Sequence, residues 1–283
     1  MNKKFILCVG VPKAGTTWLF RCLQDHASVN LGHKKEYHVF DTHFYPELNS
    51  YRVKIPEKKE DSSLFYKKYV MEKNFDKKLQ DDHESYGAYF SEILQKPDIF
   101  ITGDFTPTYC VLREGEFEYI KSLTSRYGLD AHIIYLVRDP VERILSYVKM
   151  AYKFKEYHGR VLPPDLSLNE FLASICFSQL NYDLTNYQET ITSLINSFDE
   201  SKLYFGVYET MHSHRELGRL SDFLGIVIDP VWSEKIINAN APSNSEFDAE
   251  LVKKIKLSFN DQFLFCQQFF KNQNLSLVWK NYS

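Results

Sequence analysis

The chain has 283 residues, 44% apolar and 25% charged, enough material for a large buried core and unlike a chain with long disordered stretches. Its net charge of −3 lacks the basic excess of a general nucleic-acid binder, and no apolar run approaches the ~18 residues of a transmembrane helix. The five cysteines (Cys8, Cys22, Cys110, Cys176 and Cys266) are scattered and never form a C-x-x-C pair, which speaks against a disulfide framework or a zinc site.

In chain order, Met1 to Gly10 faintly imitates a signal peptide, but Lys13 and a Gly-Thr-Thr loop stand where a cleavage site belongs. A buried strand over Phe5 to Val9 is expected instead. With no targeting signal and unpaired cysteines, cytoplasmic residence is the expectation. Thr16 to His26 places Leu19, Cys22 and Leu23 on one helical face. Residues 45–63 form a loop rich in Pro, Lys and Glu, and a helical insertion is expected at about 45–95.

Further apolar runs at Ile99 to Thr102, His132 to Val137 and Leu203 to Val207 read as strands. None alternates cleanly, as suits a parallel sheet covered on both faces. Pro140 opens a helix, and other helices are expected at Leu168 to Cys176, Leu184 to Phe198, Arg215 to Leu224 and, as one long element, Ala249 to Phe270. Loops are expected at 158–167 and at Asn238 to Ser245. The alternation predicts an α/β fold with a central, mainly parallel sheet flanked by helices, in one domain over 1–283.

The sharpest motif is Gly10-Val11-Pro12-Lys13-Ala14-Gly15-Thr16-Thr17, between the first strand and the first helix. That is the setting of a phosphate loop, whose backbone N–H groups turn around an anion at a helix N-terminus. A triphosphatase would need G-x-x-x-x-G-K-[ST], but Thr16 holds the lysine position and Lys13 sits at the crest. Such a loop suits one phosphate with a single cation against the neighbouring group. A second motif runs from Ile134 to Tyr147: an apolar strand ends in Arg138, and Pro140 starts a helix carrying Ser146. Arg138 thus stands at the carboxyl end of a strand, where its planar fork suits a phosphate that the Ser146 hydroxyl completes. Arg143 is expected to pair with Asp139 or Glu142.

Gly-x-x-Lys-x-Gly-Thr-Thr-x-Leu, from Gly10 to Leu19, resembles the 5'-phosphosulfate loop of sulfotransferases that use 3'-phosphoadenosine-5'-phosphosulfate (PAPS). Arg138 to Tyr147 resembles that family's 3'-phosphate motif, except that Tyr147 directly follows Ser146. The resemblance implies a P-loop fold in which Pro12, Lys13, Ala14, Gly15, Thr16, Thr17, Trp18, Arg138 and Ser146 bind PAPS or its product 3',5'-adenosine bisphosphate, with no metal required. Lys13 would neutralise charge on the leaving phosphate oxygen.

Lys35-Glu36-Tyr37-His38-Val39-Phe40-Asp41 resembles a stretch of heparan-type glycan sulfotransferases, which implies Glu36 as catalytic base and Lys35 on the transferring group. Cytosolic relatives use a histidine, so His38 and His33 are alternatives. Asp104-Phe105-Thr106-Pro107-Thr108-Tyr109 resembles the family's acceptor-side Thr-Pro-x-Tyr stretch, implying acceptor contacts for Asp104, Thr106 and Tyr109. The cationic Lys-Gly-Arg lid of heparan-type enzymes is missing from Asn238 to Ser245. A small molecule or a glycan is the expected acceptor, taking the sulfuryl group on a hydroxyl or an amine. His212-Ser213-His214, without an acidic or thiol partner, reads as a surface turn and not as a metal site. Competing functions are a P-loop small-molecule kinase and a non-catalytic nucleotide-binding protein.

Overall fold

Parallel strands survive only where helices cover both faces, so their sequences are apolar throughout. β1 (Lys4–Gly10) and β3 (Ala131–Val137) follow this rule, each buried from its second residue on. In the computed structural model, which describes residues 2–56, 63–157, 160–235 and 247–282, they form the centre of a four-stranded parallel sheet. β2 (Ile101–Asp104) lies outside β1, and the strand Leu203–Val207 lies outside β3. This is the expected α/β arrangement. One hydrophobic cluster takes buried residues from Phe5 to Trp279.

Two of the loops that reach the candidate site leave the carboxyl ends of β1 and β3. After β1 the chain turns into the helix Thr16–Gln24, which buries Leu19, Cys22 and Leu23 as the spacing predicts. After β3 it enters the helix Pro140–Phe154, whose first turn is capped by Asp139 accepting from Val141 N and Glu142 N. The strand expected at Ile99 to Thr102 lies two residues later, because Phe100 N and Ile101 N still bond to Ser28 O in the approach to the sheet. Asp104 thereby becomes its last residue.

One longer helical expectation divides and another is shortened. The stretch from Ala249 to Phe270 breaks at Phe259 into Ala249–Ser258 and Asn260–Phe269. The one expected to start at Leu184 starts at Tyr187, where the Asn186 side chain accepts from Glu189 N. The insertion holds the helices Leu64–Asp81 and His83–Gln95. Its first helix is buried at its far end, where Gln80 Nε2 donates to the backbone oxygens of Tyr37, His38 and Tyr51 and Asp76 pairs with His33 and Lys34. Of the expected loops, residues 57–62, 158–159 and Asn238 to Ser245 lie outside the described residues.

The chain's end returns to the middle of the sheet. Trp279 Nε1 donates to Glu209, and Asn281 donates through N and Nδ2 to the Asp139 carboxylate, at 2.9 and 3.1 Å. Arg143 does not pair with an acid: Asp139 is engaged by Asn281 and Glu142 turns toward Arg138, so Arg143 is buried against Asn181. Among the described residues no helix is long and apolar enough to cross a membrane. All five cysteines are free and buried. Burial pushes the thiols of Cys8, Cys22 and Cys110 up to about 12 and raises those of Cys176 and Cys266.

Truncating Trp279, a buried indole with a hydrogen bond, removes packing beside the Arg138 junction. Trp279→Ala should cost about 3–5 kcal/mol in urea unfolding, and Asn281→Ala, which removes the side-chain bond to Asp139, about 1 kcal/mol. A Trp279→Ala protein as stable as the parent would show that the tail is dispensable.

Candidate active site

A cavity of about 180 Å³ opens at the carboxyl ends of β1 and β3. The loop from Pro12 to Trp18 forms one wall, with Lys13 and Gly15 both left-handed, at φ 75° and 81°. Gly15 is required there twice over: its φ disfavours a side chain, and a Cβ would stand 2.6 Å from Met211 Sδ. The N–H groups opening the helix Thr16–Gln24 have no partner within that helix and are free for an anion. Ala14 is part of the same turn, its N–H donating to Val11 O, and its side chain is buried in the core.

Arg138 stands directly against this loop at the edge of the cavity. Its Nη1 donates to Lys13 O at 2.9 Å, its guanidinium lies 4.5 Å over the Tyr208 ring, and Glu142 is 3.7 Å from Nη2. Its Nε is buried with no hydrogen-bond partner. A desolvated guanidinium N–H without an acceptor is costly, and an incoming anionic oxygen relieves that cost. Burial first, then the charges of Arg138 and Lys35, lowers Lys13 to about 8. Lys13 Nζ lies 3.3 Å from Met150 Sδ.

The opposite wall carries the acidic chemistry. Lys35 Nζ contacts Glu36 Oε1, and His38 Nε2 is 3.4 Å from Glu36 Oε2. Behind them His38 Nδ1 meets Asp41 Oδ2 at 2.7 Å, and Thr108 donates its hydroxyl to the same oxygen. The His38 ring stacks on Tyr51 with centroids 4.2 Å apart. Burial alone would push the Glu36 carboxyl up, but the His38 hydrogen bond and the Lys35 charge outweigh it and hold Glu36 at about 2. Burial likewise works against the His38 cation, and Asp41 and Glu36 reverse it, raising His38 to about 9. The result is a line of alternating charge, Asp41, His38, Glu36, Lys35, ending in the cavity.

Most of the residues singled out in the sequence line this one cavity: Pro12, Lys13, Gly15, Thr16, Thr17, Trp18, Lys35, Glu36, Arg138 and Ser146. His38 stands one step behind Glu36, and His33 lies away from the cavity against Asp76. Asp104, Thr106 and Tyr109, expected to contact an acceptor, do not line the cavity. They are wholly buried, with Thr106, Tyr109 and Tyr86 all donating hydroxyls to the Asp104 carboxylate. Thr106 accepts from Tyr37 N and Tyr109 from Val39 N, so the three residues hold the Glu36 loop in place.

Sequence reasoning missed Tyr51, Tyr147, Met150, Leu184, Tyr208 and His212, all of which line the cavity. Only Tyr147, next to Ser146, carried a local signal. His212, read as part of a surface turn, packs edge-on against Trp18 with centroids 4.6 Å apart, and its Nδ1 is buried without a partner. A larger recess, about 820 Å³, sits at the start of the strand Leu203–Val207 and beside its Phe205, away from the strand ends that bind ligands in such sheets.

Comparison with known proteins gives the family. A sequence model described as the sulfotransferase family matches residues 6–230, from β1 past the last sheet strand. The chain belongs to the sulfotransferase family. Among solved structures, this sulfotransferase resembles one from Alicyclobacillus acidocaldarius at a TM-score of 0.62 and 16% identity, covering 98% of this chain and 99% of the other. That likeness shows the shared fold. A sulfotransferase domain of the Synechococcus PCC 7002 olefin synthase aligns at 0.49 and 14% identity over 92% and 96% of the two chains. A mouse sulfotransferase complexed with PAP aligns at 0.42 and 14% over 99% and 88%. No curated protein sequence matches this one.

The raised His38 gives a signed pH prediction. A base held above its ordinary value of 6.5 contributes stability that is complete below pH 6.5 and lost as pH rises through about 9. The unfolding free-energy difference between the parent and His38→Asn should therefore shrink by up to about 3 kcal/mol from pH 6 to pH 10. A difference independent of pH would mean that His38 carries no charge in the folded protein.

Proposed function

We propose that this sulfotransferase moves a sulfuryl group from PAPS to an acceptor hydroxyl by in-line displacement. The observation that carries the proposal is the convergence on one cavity of the 12–18 loop, an Arg138 Nε lacking a partner, and the Lys35–Glu36 pair. Bound PAPS would supply the activated sulfuryl group. The loop N–H groups from Gly15 to Trp18 would hold its 5'-phosphate, and Arg138 and Ser146 the 3'-phosphate. Trp18, Tyr208 and His212 offer aromatic faces for the base.

The steps assigned to the protein are few. Glu36 accepts the acceptor's hydroxyl proton as the new S–O bond forms. The S–O bond to the 5'-phosphate breaks, and the leaving oxygen gains charge against Lys13. In the resting site Lys35 and His38 keep Glu36 ionised but weakly basic. As Lys35 turns to the sulfuryl oxygens, Glu36 loses one stabilising cation and becomes a stronger base. His38, held by Asp41, orients the carboxylate throughout.

A kinase reading fits less well. Among the described residues Glu36 is the one carboxylate lining the cavity, and it is engaged by Lys35 and His38. Asp104, at the end of β2 where a metal-binding carboxylate would stand, is sealed among three hydroxyls and raised by burial to about 6. Mg·ATP therefore finds neither the loop lysine nor the acid it needs.

Titration with 3',5'-adenosine bisphosphate should stabilise the protein by about 2.7 kcal/mol at 100 times its dissociation constant, with Mg·ATP far weaker and Arg138→Ala abolishing the effect. Stabilisation by Mg·ATP alone would move the kinase reading to first place. Glu36→Gln should keep the bisphosphate-induced shift while lowering the transfer rate constant about 10²–10⁴-fold. Undiminished transfer by that variant would remove Glu36 as base.

A further inference from the structure

We propose that the open edge of the sheet, along the strand Leu203–Val207, binds an extended peptide segment of a partner protein. The segment runs parallel to that strand and is basic at its start, apolar in its middle and acidic at its end. The proposal does not depend on the transfer chemistry. The recess beside this edge, about 820 Å³, shares no lining residue with the cavity that holds Glu36 and Lys13.

The main chain gives the first reason. Leu203–Val207 is an outermost strand, paired to β3 on one side only. Tyr208 N donates to Val137 O, so by the alternation of a parallel ladder Leu203 and Phe205 turn their main-chain groups away from the sheet. Of these groups, Leu203 N donates to Glu200 O, and Phe205 O accepts from Arg219 Nη2 at 3.5 Å. Leu203 O and Phe205 N have no partner among the described residues. Unpaired edge groups are a template for another strand. An antiparallel neighbour uses the N–H and C=O of one residue, whereas a parallel neighbour uses the C=O of one and the N–H two residues on. The two unpaired groups are the parallel set. Two copies of this chain related by a two-fold axis would pair antiparallel, which these groups do not serve.

The recess supplies the side-chain chemistry. A residue bonded to Leu203 O and Phe205 N lies opposite Tyr204, and its two neighbours point to the other face of the sheet. On that face Phe205 meets Phe269 edge-on, with centroids 5.1 Å apart, and Ile195 and Phe198 line the same recess. Apolar side chains at those two places bury against these rings. The ends differ in charge. Asp199 and Glu200 precede the strand and line the recess at its start, their carboxylates exposed and in no ion pair among the described residues. At the other end Gln273 joins the turn Lys271–Gln273 to Thr210, just past the strand, and to Glu216 in the helix His214–Leu224. This brings Arg215 and Lys271 to the carboxyl end of the strand, where neither has an acidic partner among the described residues. A parallel segment therefore presents its basic start to the two acids and its acidic end to the two cations.

The test follows fluorescence anisotropy of a labelled, C-terminally amidated peptide, Lys-Val-Thr-Val-Asp-Asp, on the full chain. Saturable binding is expected, with a dissociation constant below about 1 mM. N-methylation of the threonine removes the N–H meant for Leu203 O and should weaken binding about tenfold. Exchanging the lysine for aspartate and the two aspartates for lysine should weaken it about tenfold as well. Arg215→Glu and Lys271→Glu should each weaken the original peptide while leaving the melting temperature of the protein in place. No binding at about 1 mM overturns the proposal. Equal binding of the N-methylated peptide also overturns it, since the recess would then take side chains without strand pairing. So does equal binding of the charge-exchanged peptide. A dimer in sedimentation velocity without peptide, dissociated by Arg215→Glu, would assign the edge to a second copy and overturn it too.

Discussion

The candidate site depends on a buried carboxylate that does not line its cavity. Asp104 ends β2 inside the core, where burial raises its carboxyl to about 6 and three hydroxyls donate to it. Two of those donors, Thr106 and Tyr109, also accept backbone N–H groups from the Glu36 loop. The third, Tyr86, belongs to the insertion. Sheet, loop and insertion therefore meet at one acid. A network of this kind is rigid when every member is satisfied and expensive when one is missing. This explains how a charged, partly exposed segment keeps a fixed geometry against the cavity.

On that frame the electrostatics have a direction. Asp41 and Glu36 hold the His38 cation between them, and Lys35 meets the Glu36 carboxylate, while Lys13 and Arg138 line the same cavity. Three cations and one carboxylate in one cavity would suit the negatively charged group and the proton-losing acceptor of the proposed transfer. The Lys13 ammonium, lowered by burial and by its cationic neighbours, gains from any anion placed beside it.

What could be read in the sequence was what the backbone decides locally. The spacing of Gly10 and Gly15 and the placing of Arg138 just after an apolar strand are statements about turns and strand ends, and both survive in the structure. Roles decided by packing across the chain were not legible. Thr106 and Tyr109 have the residue types of an acceptor contact, yet the pull of Asp104 turns them inward. Arg143 has two acids within one helical turn, but Asn281 and Arg138 reach those first, from opposite ends of the sequence separation. Tyr51, Met150 and Leu184 look like core residues in the sequence, and only the folded chain shows them facing a cavity. The division of the last long helix at Phe259 has no glycine or proline to announce it.

The five cysteines have a practical consequence. Each is shielded from solvent, and burial favours the thiol over the thiolate that reacts with alkylating and oxidising agents. Burial and the raised thiols predict slow reaction of the folded protein with maleimides. A single cysteine introduced at an exposed site, such as the open position of Gly115, would take a fluorophore or spin label alone, without any native cysteine having to be removed.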